Sequence, residues 1–406
     1  MERMLNDKIL SGKHILIGVC GGIAAYKIPD LISKLVKLGA EVKVVMTHAA
    51  TEFVTPLTFQ SMSHNPVAVD MFSEPVAWEI RHISLAQWTD TLLVAPATAN
   101  MIGKLANGIA DDMLSTVAMA TRSQVLVAPA MNTAMYENAA TQANIKTLKE
   151  RGIKIIEPAE GRLACGDSGK GKLADIDVLL NSLIYEVAFE KDLSGKKVLV
   201  TAGATVESVD PVRFLTNHSS GKMGIEIARA AQLRGADVTL VCGNISVETP
   251  MGVNVIKVKS AQDMFDACVS HQKEADVIIK AAAVADFKPK DVADNKIKKE
   301  GGFEGVIRLE QNPDILKYLG EHKPAGQILV GFCMETQDLI ENAKKKLDKK
   351  NLDMIVANSL TEPNAGFKSD TNTVTILDKT GKIEALDNMS KFCVAQELLD
   401  RVVKCL

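Results

Sequence analysis

Val127 to Asn138 reads VAPAMNTAMYEN, an apolar run that stops at Pro129 and then sets a lone amide, Asn132, between Met131 and Met135. A second polar focus is Val19-Cys20-Gly21-Gly22-Ile23-Ala24-Ala25, where glycines let backbone N–H groups approach an anion at a helix start. The same residues also read as a plain strand-to-helix turn. A dinucleotide fits poorly, because G-x-G-x-x-G is absent and the second strand ends at Met46-Thr47 rather than in an acid; a monophosphate fits better. Pro96-Ala97-Thr98-Ala99-Asn100 adds small residues and hydroxyls suited to a planar ligand, and Asp111 to Thr116 adds carboxylates and the Ser115 hydroxyl at another helix start. His82, in RHISL, is either a base or a packed or solvated histidine.

In the second half, Thr201-Ala202-Gly203-Ala204-Thr205-Val206-Glu207 looks like a nicotinamide turn. It lacks G-x-G-x-x-G, has Cys242-Gly243-Asn244 where an acid is needed, and no tyrosine opens a Tyr-x-x-x-Lys. No Gly-Lys pair is followed by Ser or Thr, so a P-loop is excluded as well. Ser219-Ser220-Gly221-Lys222-Met223-Gly224 still has an anion-binding composition. Lys296-Ile297-Lys298-Lys299 is a solvated charge run or a cationic site. Lys346 and Lys350 lie one helical turn apart, on an ordinary exposed face or around a common anion.

These groups need strands to hold them. The chain starts twice: LSGKHILI at Leu10 to Ile17 and LSGKKVLV at Leu193 to Val200 each lead from a polar turn into a buried-strand pattern. Amphipathic helices are expected next, over Ala25 to Leu38 and Gly221 to Arg234. Further strands are expected at Val42 to Met46, Leu92 to Ala95, Val125 to Ala128 and Ile153 to Ile156, then at Val238 to Val241, Val277 to Ala281, Ile328 to Phe332 and Met354 to Ala357. A hairpin over Thr373 to Ile383 and a helix from Met389 to Cys405 close the chain. The pattern defines an α/β protein of two Rossmann-like three-layer domains, 1–190 and 191–406, each a mostly parallel sheet with helices on both faces. Two long segments, Pro158 to Leu173 around Cys165 and the lysine-rich Phe287 to Gly302, read as irregular functional loops or disorder.

A length of 406 residues suits two cores. The formal charge of -3 and pI near 6.2 give no reason to expect nucleic acid as a partner. No apolar run is long enough to span a bilayer and MERMLNDKIL is no signal peptide, so no membrane and a cytoplasmic location are expected. Seven scattered cysteines without a C-x-x-C pair argue against a zinc site or disulfide framework, and most should be inert.

GGIAAYK, HISLAQW, APATAN, PAMNTAMY and ACGDSGKGKL, in that order, make the first half resemble the homo-oligomeric flavin-containing cysteine decarboxylases. The resemblance implies FMN held by Gly21, Gly22, Ile23, Thr47, Pro96, Ala97, Thr98, Asn100, Ser115 and Met131. A cysteine carboxylate has no electron sink beyond its α-carbon; oxidation of the CH2–SH group to a thioaldehyde on the flavin supplies one, and the hydride is returned after CO2 has left. The resemblance gives His82 the base role in oxidation and Asn132 the substrate carboxylate or amide. It gives Cys165 protonation of the enethiolate. A neutral amide orients the carboxylate without pairing so strongly that CO2 loss is opposed.

TAGATVESVDPVRFLTNHSSGKMG, AAAVADF, KIKK, NPDI, GFCMET and KKLDKKNLD make the second half resemble bacterial phosphopantothenate–cysteine ligase. That resemblance implies attack of the acid on the α-phosphate of CTP, an acyl-cytidylate, and displacement of CMP by the L-cysteine amine. Asn217 would stabilise the intermediate and Lys296 assist its formation. Ala282, Ala283, Asp286, Lys296, Asn312, Pro313, Asp314, Ile315, Phe332, Lys346 and Lys350 would line the nucleotide site, with Mg2+ brought by the triphosphate and no protein metal ligands assigned. As a whole the chain resembles the fused decarboxylase/ligase family of coenzyme A synthesis, which converts 4'-phosphopantothenate through phosphopantothenoylcysteine to 4'-phosphopantetheine. It implies a homo-oligomer of trimeric decarboxylase units and dimeric ligase domains. The alternatives are a flavin-binding regulatory protein and a flavin or nicotinamide oxidoreductase acting on an external substrate.

Overall fold

The computed structural model describes residues 8–72, 80–162, 168–298, 306–335, 338–359 and 369–406. The chain divides into two units, Met1–Phe189 and Glu190–Leu406. In the first, strands β1 (His14–Val19), β2 (Glu41–Met46), β3 (Thr91–Ala97), β4 (Gln124–Pro129) and β5 (Lys154–Ile155) form a parallel sheet in the order β2-β1-β3-β4-β5. Leu92, Leu93, Val94 and Ala95 on β3 are all fully buried, as a strand covered on both faces requires. Each large apolar side chain so buried contributes about 1.5–3 kcal/mol. One face packs Leu16, Leu92, Val94, Val125 and Val127 against Met101, Ile102, Leu114, Val117 and Ile145 from the helices that follow β3 and β4. Helices Ile28–Lys37 and Ile176–Val187 pack together, with Lys34 and Asp177 joined at 2.9 Å.

The expected helix over Ala25 to Leu38 is two elements: a 3-10 turn, Ile23–Lys27, and then Ile28–Lys37, whose first turn holds Pro29. Proline is favoured there because its missing N–H is one that a helix start leaves unpaired anyway. Pro158 to Leu173 is also more regular than its composition suggests. Ala159–Arg162 (β6) and Ser168–Lys172 (β7) form an antiparallel pair, with residues 163–167 between them outside the described residues. Repeated glycine hides such a pair, because it carries no side chains that alternate between two faces.

The second unit carries β8 (Lys197–Ala202), β9 (Val206–Ser208), β10 (Phe214–Thr216), β11 (Asp237–Cys242), β12 (Asn254–Lys257), β13 (Val277–Lys280), β14 (Phe287–Pro289), β15 (Leu309–Gln311), β16 (Ile328–Glu335), β17 (Met354–Ser359), β18 (Thr371–Asp378) and β19 (Ile383–Ser390). Eight of them form one sheet in the order β12-β11-β8-β13-β16-β17-β18-β19. It is parallel from β12 to β17 and antiparallel from β17 to β19. Helices Lys222–Leu233 and Lys391–Val403 pack on each other. Ile278, Leu329 and Ile355 pack instead against the helices Ala261–Gln272, Ile315–Glu321 and Leu339–Lys349. The short antiparallel pairs β9–β10 and β14–β15 stand apart from the large sheet. Arg234, 5% exposed, holds Asp192 at 2.5 Å and Asp400 at 2.7 Å, tying the unit's first residues to its last helix.

Among the described residues no helix is long and apolar enough to cross a membrane. Cys20, Cys242, Cys268 and Cys333 are buried, and burial pushes the Cys20 and Cys268 thiols up to about 12. Such thiols stay protonated and unreactive at neutral pH.

Candidate functional site

In the first unit the carboxyl ends of β1 to β4 bring the singled-out segments together, as a parallel sheet does at its ligand-binding edge. The Cys20 N–H donates to the Pro96 carbonyl (3.3 Å), the Thr47 N–H to the Val19 carbonyl (3.0 Å), and the Ala130 N–H to the Ala97 carbonyl (2.9 Å). Gly21 lies so close to the β2 loop that a Cβ would stand 2.5 Å from that of Ala49. Thr98 caps helix Ala99–Asn107, its hydroxyl accepting from the Met101 N–H at 3.3 Å, and Asn100 is exposed on the first turn. Pro96 and Ala97 are buried, Gly22 is half-buried, and Ile23 is 58% exposed.

Ser115 is buried in a capping box: its N–H donates to Asp112 Oδ1 at 2.8 Å and its hydroxyl accepts from the Asp112 N–H at 3.1 Å. Burial raises the Asp112 carboxyl, but hydrogen bonds from Lys104 and Ser115 outweigh it and hold the pKa below the usual carboxylate range. Thr47 Oγ1 is different. It is buried and has no hydrogen-bond partner among the described residues. An orphaned hydroxyl beside a close-packed glycine turn fits a ligand that brings its own acceptor or donor, as the phosphate and ring edges of FMN do.

Asn132 caps helix Thr133–Glu137, with Oδ1 accepting from the Ala134 N–H at 2.8 Å. The donor end of that amide, Nδ2, is the end chemically suited to a carboxylate. Met131 is half-buried against the sheet's core, whereas Met135 is 50% exposed. The Met131 N–H donates to the Gly171 carbonyl (2.9 Å), which docks the β6–β7 hairpin on the Asn132 loop. Gly171 has φ +134°, and a Cβ there would lie 2.5 Å from the Met131 carbonyl oxygen, so the docking needs glycine. Cys165 lies outside the described residues. His82 sits on the first turn of helix Arg81–Trp88, which packs on the helix carrying Ser115. Among the described residues no hydrogen bond joins it to Asn132.

In the second unit residues 201–205 and 282–285 are laced together: the Ala282 N–H donates to Thr201 Oγ1 (3.1 Å), the Ala283 N–H to the Gly203 carbonyl (2.8 Å) and the Ala285 N–H to Thr205 Oγ1 (3.0 Å). Asn217 joins them, Nδ2 donating to the Ala283 and Val284 carbonyls at 3.3 and 3.1 Å. A cleft of about 180 Å³ opens beside them, lined by Ser219 to Gly224 at the start of helix Lys222–Leu233, by Ala282 and Ala283, and by Phe332. Its polar floor comes from residues the sequence reading had passed over. Asn358 Oδ1 is buried without a partner among the described residues, and Asn372 and Lys391 are 2% and 4% exposed.

The other expected nucleotide residues gather at a neighbouring corner. The Asn312 N–H donates to the Asp286 carbonyl (2.9 Å) and its Nδ2 to the Ala285 carbonyl (2.9 Å), while its Oδ1 is buried and unpartnered among the described residues. Pro313 leads into Asp314, which caps helix Ile315–Glu321 through the Lys317 N–H (3.0 Å) and pairs with Lys350 at 2.9 Å; Ile315 is core. Burial raises the Asp314 carboxyl, but Lys350 and the Lys317 N–H hold it below the usual range. Lys346 lies on helix Leu339–Lys349, whose cap is Lys350. Lys296 is exposed, on a segment anchored where the Ile297 N–H meets Asp210 (3.2 Å). Among the described residues no cluster of His, Cys, Asp or Glu could hold a metal ion.

A close-packed glycine turn with an orphaned hydroxyl at the edge of one parallel sheet and a polar cleft at the edge of another define a two-domain α/β protein with a ligand-binding edge in each unit. The family models divide the chain the same way. Residues 5–188 match Flavoprotein, and 193–406 match the DNA/pantothenate metabolism flavoprotein C-terminal domain. The coenzyme A biosynthesis bifunctional protein CoaBC of Bacillus subtilis is 49% identical over 397 residues, covering 97% of each chain. That of Escherichia coli is 42% identical, covering 97% of each chain. A crystal structure of the C-terminal domain of a CoaBC protein is 44% identical, covers 53% of this chain and 97% of its own, and superposes with a TM-score of 0.46. The chain belongs to the CoaBC family of bifunctional coenzyme A biosynthesis proteins.

Proposed function

We propose that the second unit joins L-cysteine to 4'-phosphopantothenate at the expense of CTP, and that the first unit decarboxylates the product to 4'-phosphopantetheine with FMN. Ligation and decarboxylation in coenzyme A biosynthesis are the two reactions of the family. The observation that carries the reading is that likeness to the bifunctional relatives runs through both units, over 97% of the chain. Regulatory flavin binding alone would leave the second unit's cleft and lysines unexplained.

In the ligase, the phosphopantothenate carboxylate attacks the α-phosphorus of CTP, pyrophosphate leaves, and the cysteine amine then attacks the acyl carbon to expel CMP. Oxide is an impossible leaving group, so the carboxylate needs this activation. The start of helix Lys222–Leu233 and Lys222 itself suit the phosphates. Asn217, held against the 283–284 carbonyls, steadies the acyl-cytidylate, and Lys296 meets the charge that builds as pyrophosphate departs. Mg2+ enters with the nucleotide.

In the decarboxylase, FMN supplies reversible oxidation of the substrate's CH2–SH group and so the electron sink that the carboxylate lacks. Gly21, Gly22, Thr47 and Thr98 hold the cofactor at the sheet edge, and the orphaned Thr47 hydroxyl finds its partner there. Asn132 Nδ2 donates to the substrate carboxylate, His82 takes the thiol-side proton, and Cys165 returns a proton to the enethiolate. Cys165 lies in the sequence between β6 and β7, and β7 docks on the Asn132 loop through the Gly171 carbonyl and the Met131 N–H.

The ligase assignment is tested by quenching single turnovers. Asn217→Asp accumulates acyl-cytidylate, whereas Lys296→Gln forms little. Normal levels of the intermediate in the lysine variant would contradict the role given to Lys296.

A further inference from the structure

Asp210 is 3% exposed, in the turn that joins β9 to β10. A carboxylate so buried needs donors. Four meet it: the Val212 and Arg213 N–H groups reach Oδ1 at 2.7 Å each, while the Ile297 N–H reaches Oδ2 at 3.2 Å and Arg213 Nη1 reaches the same oxygen at 3.3 Å. Oδ1 thus shapes its own turn, the ordinary use of a turn aspartate. Oδ2 does something else, because it holds a peptide 87 residues further along the chain.

The grip on that peptide is double. Arg213 Nη1, itself bound to Oδ2, also donates to the Ile297 carbonyl at 3.2 Å. A second anchor lies four residues earlier in the chain, where the Ala293 N–H donates to the Val209 carbonyl at 3.0 Å. Lys296 stands between the two anchors, both on one turn. Its side chain is exposed, and among the described residues no hydrogen bond or ion pair holds its Nζ. What the fold fixes of this lysine is therefore its backbone. Asn217 is different. It follows β10 directly, and its own side chain is bonded to the Ala283 and Val284 carbonyls. Loosening the contact between Asp210 and Ile297 would free Lys296 and leave Asn217 in place.

We propose that Asp210 is the positioning residue for Lys296: Oδ2, with Arg213, clamps the Ile297 peptide and so holds the lysine where charge builds as pyrophosphate departs. The inference rests on the role given to Lys296 above.

Asp210→Asn is a narrow perturbation. Its amide oxygen can still serve the Val212 and Arg213 N–H groups, which leaves its NH2 facing the Ile297 N–H and Arg213 Nη1, donor against donor. In the full-length protein, quenched single turnovers measure acyl-cytidylate formation, and discharge of prepared acyl-cytidylate by L-cysteine measures the later step and the folding of the same unit. Hydrogen exchange of the peptide carrying Ile297 reads the clamp itself. The variant should form acyl-cytidylate about 10- to 100-fold more slowly, discharge it at close to the wild-type rate, and exchange faster at Ile297. In a Lys296→Gln background the same substitution should change formation by less than about 2-fold, because the group it positions is gone. Exchange at Ile297 as slow as in wild type, equal slowing of both steps, or a full-sized loss on top of Lys296→Gln would each overturn the proposal. Lys296→Gln forming acyl-cytidylate at the wild-type rate would instead contradict the reading of Lys296 on which the proposal stands, whatever the exchange at Ile297 shows.

Discussion

Replacing Gly171 with alanine attacks the joint between the hairpin and the Asn132 loop without touching a reacting group. The new Cβ would lie 2.5 Å from the Met131 carbonyl oxygen, and the residue would have to hold φ +134°. The backbone strain costs about 1–3 kcal/mol. Relieving the clash parts the Met131 N–H from the Gly171 carbonyl, now 2.9 Å apart, at a further cost of about 1 kcal/mol. The docked hairpin thus loses about 2–4 kcal/mol, and if decarboxylation needs it docked, kcat/KM falls about 30- to 1,000-fold at about 1.4 kcal/mol per tenfold. Gly161→Ala, in the partner strand at φ +154° with its nearest atom 4.0 Å away, carries only the strain and should lose less. The assay follows phosphopantetheine from phosphopantothenoylcysteine, with ligase turnover on the same chain as the reference. Gly171→Ala keeping more than half the decarboxylase activity, or losing both activities together, would refute the reasoning.

Cys165→Ser should still release CO2 but stall before the saturated thiol, trapping the oxidised enethiol; parallel loss of CO2 release and product would remove the proton-donor role. Asp353 gives a pH prediction. Burial raises its carboxyl, but Lys379 (2.7 Å), the Leu329 N–H (2.8 Å) and Lys323 (2.9 Å) outweigh burial and hold the pKa low. A carboxylate depressed on folding stabilises fully above its unfolded pKa of about 3.9 and ceases to do so as pH falls through the folded value. Asp353→Asn should therefore lower the second unit's stability by about 1–3 kcal/mol at pH 7, with the gap to wild type closing below pH of about 4. Denaturant titrations across that range check it, and a gap that stays constant would contradict it.

The parallel strands were legible because their residues are apolar on both faces: Val277 to Ile279, for example, is a short β-branched apolar run of the kind a buried strand has, and β13 runs through it. β12 escaped notice because Asn254–Lys257 is a short edge strand with polar ends, half-buried at its centre and exposed at both ends. The β6–β7 pair escaped because glycines at positive φ make its tight contacts. At the candidate sites, Thr98 and Asn132 stood out because they are polar residues set where strands end, whereas Asp314 came only with the resemblance. Asn358 did not. A single asparagine closing an apolar run looks like the strand's exit to solvent, and only the tertiary packing shows it lining a cleft.

The central claim, two consecutive reactions on one chain, is tested most directly by mass spectrometry of the purified, FMN-loaded protein given 4'-phosphopantothenate, L-cysteine, CTP and Mg2+. The account predicts phosphopantothenoylcysteine as a transient, followed by phosphopantetheine in step with CMP and pyrophosphate. Phosphopantothenoylcysteine that accumulates with CMP and is never decarboxylated would leave the ligase standing and contradict the roles of His82, Asn132 and Cys165.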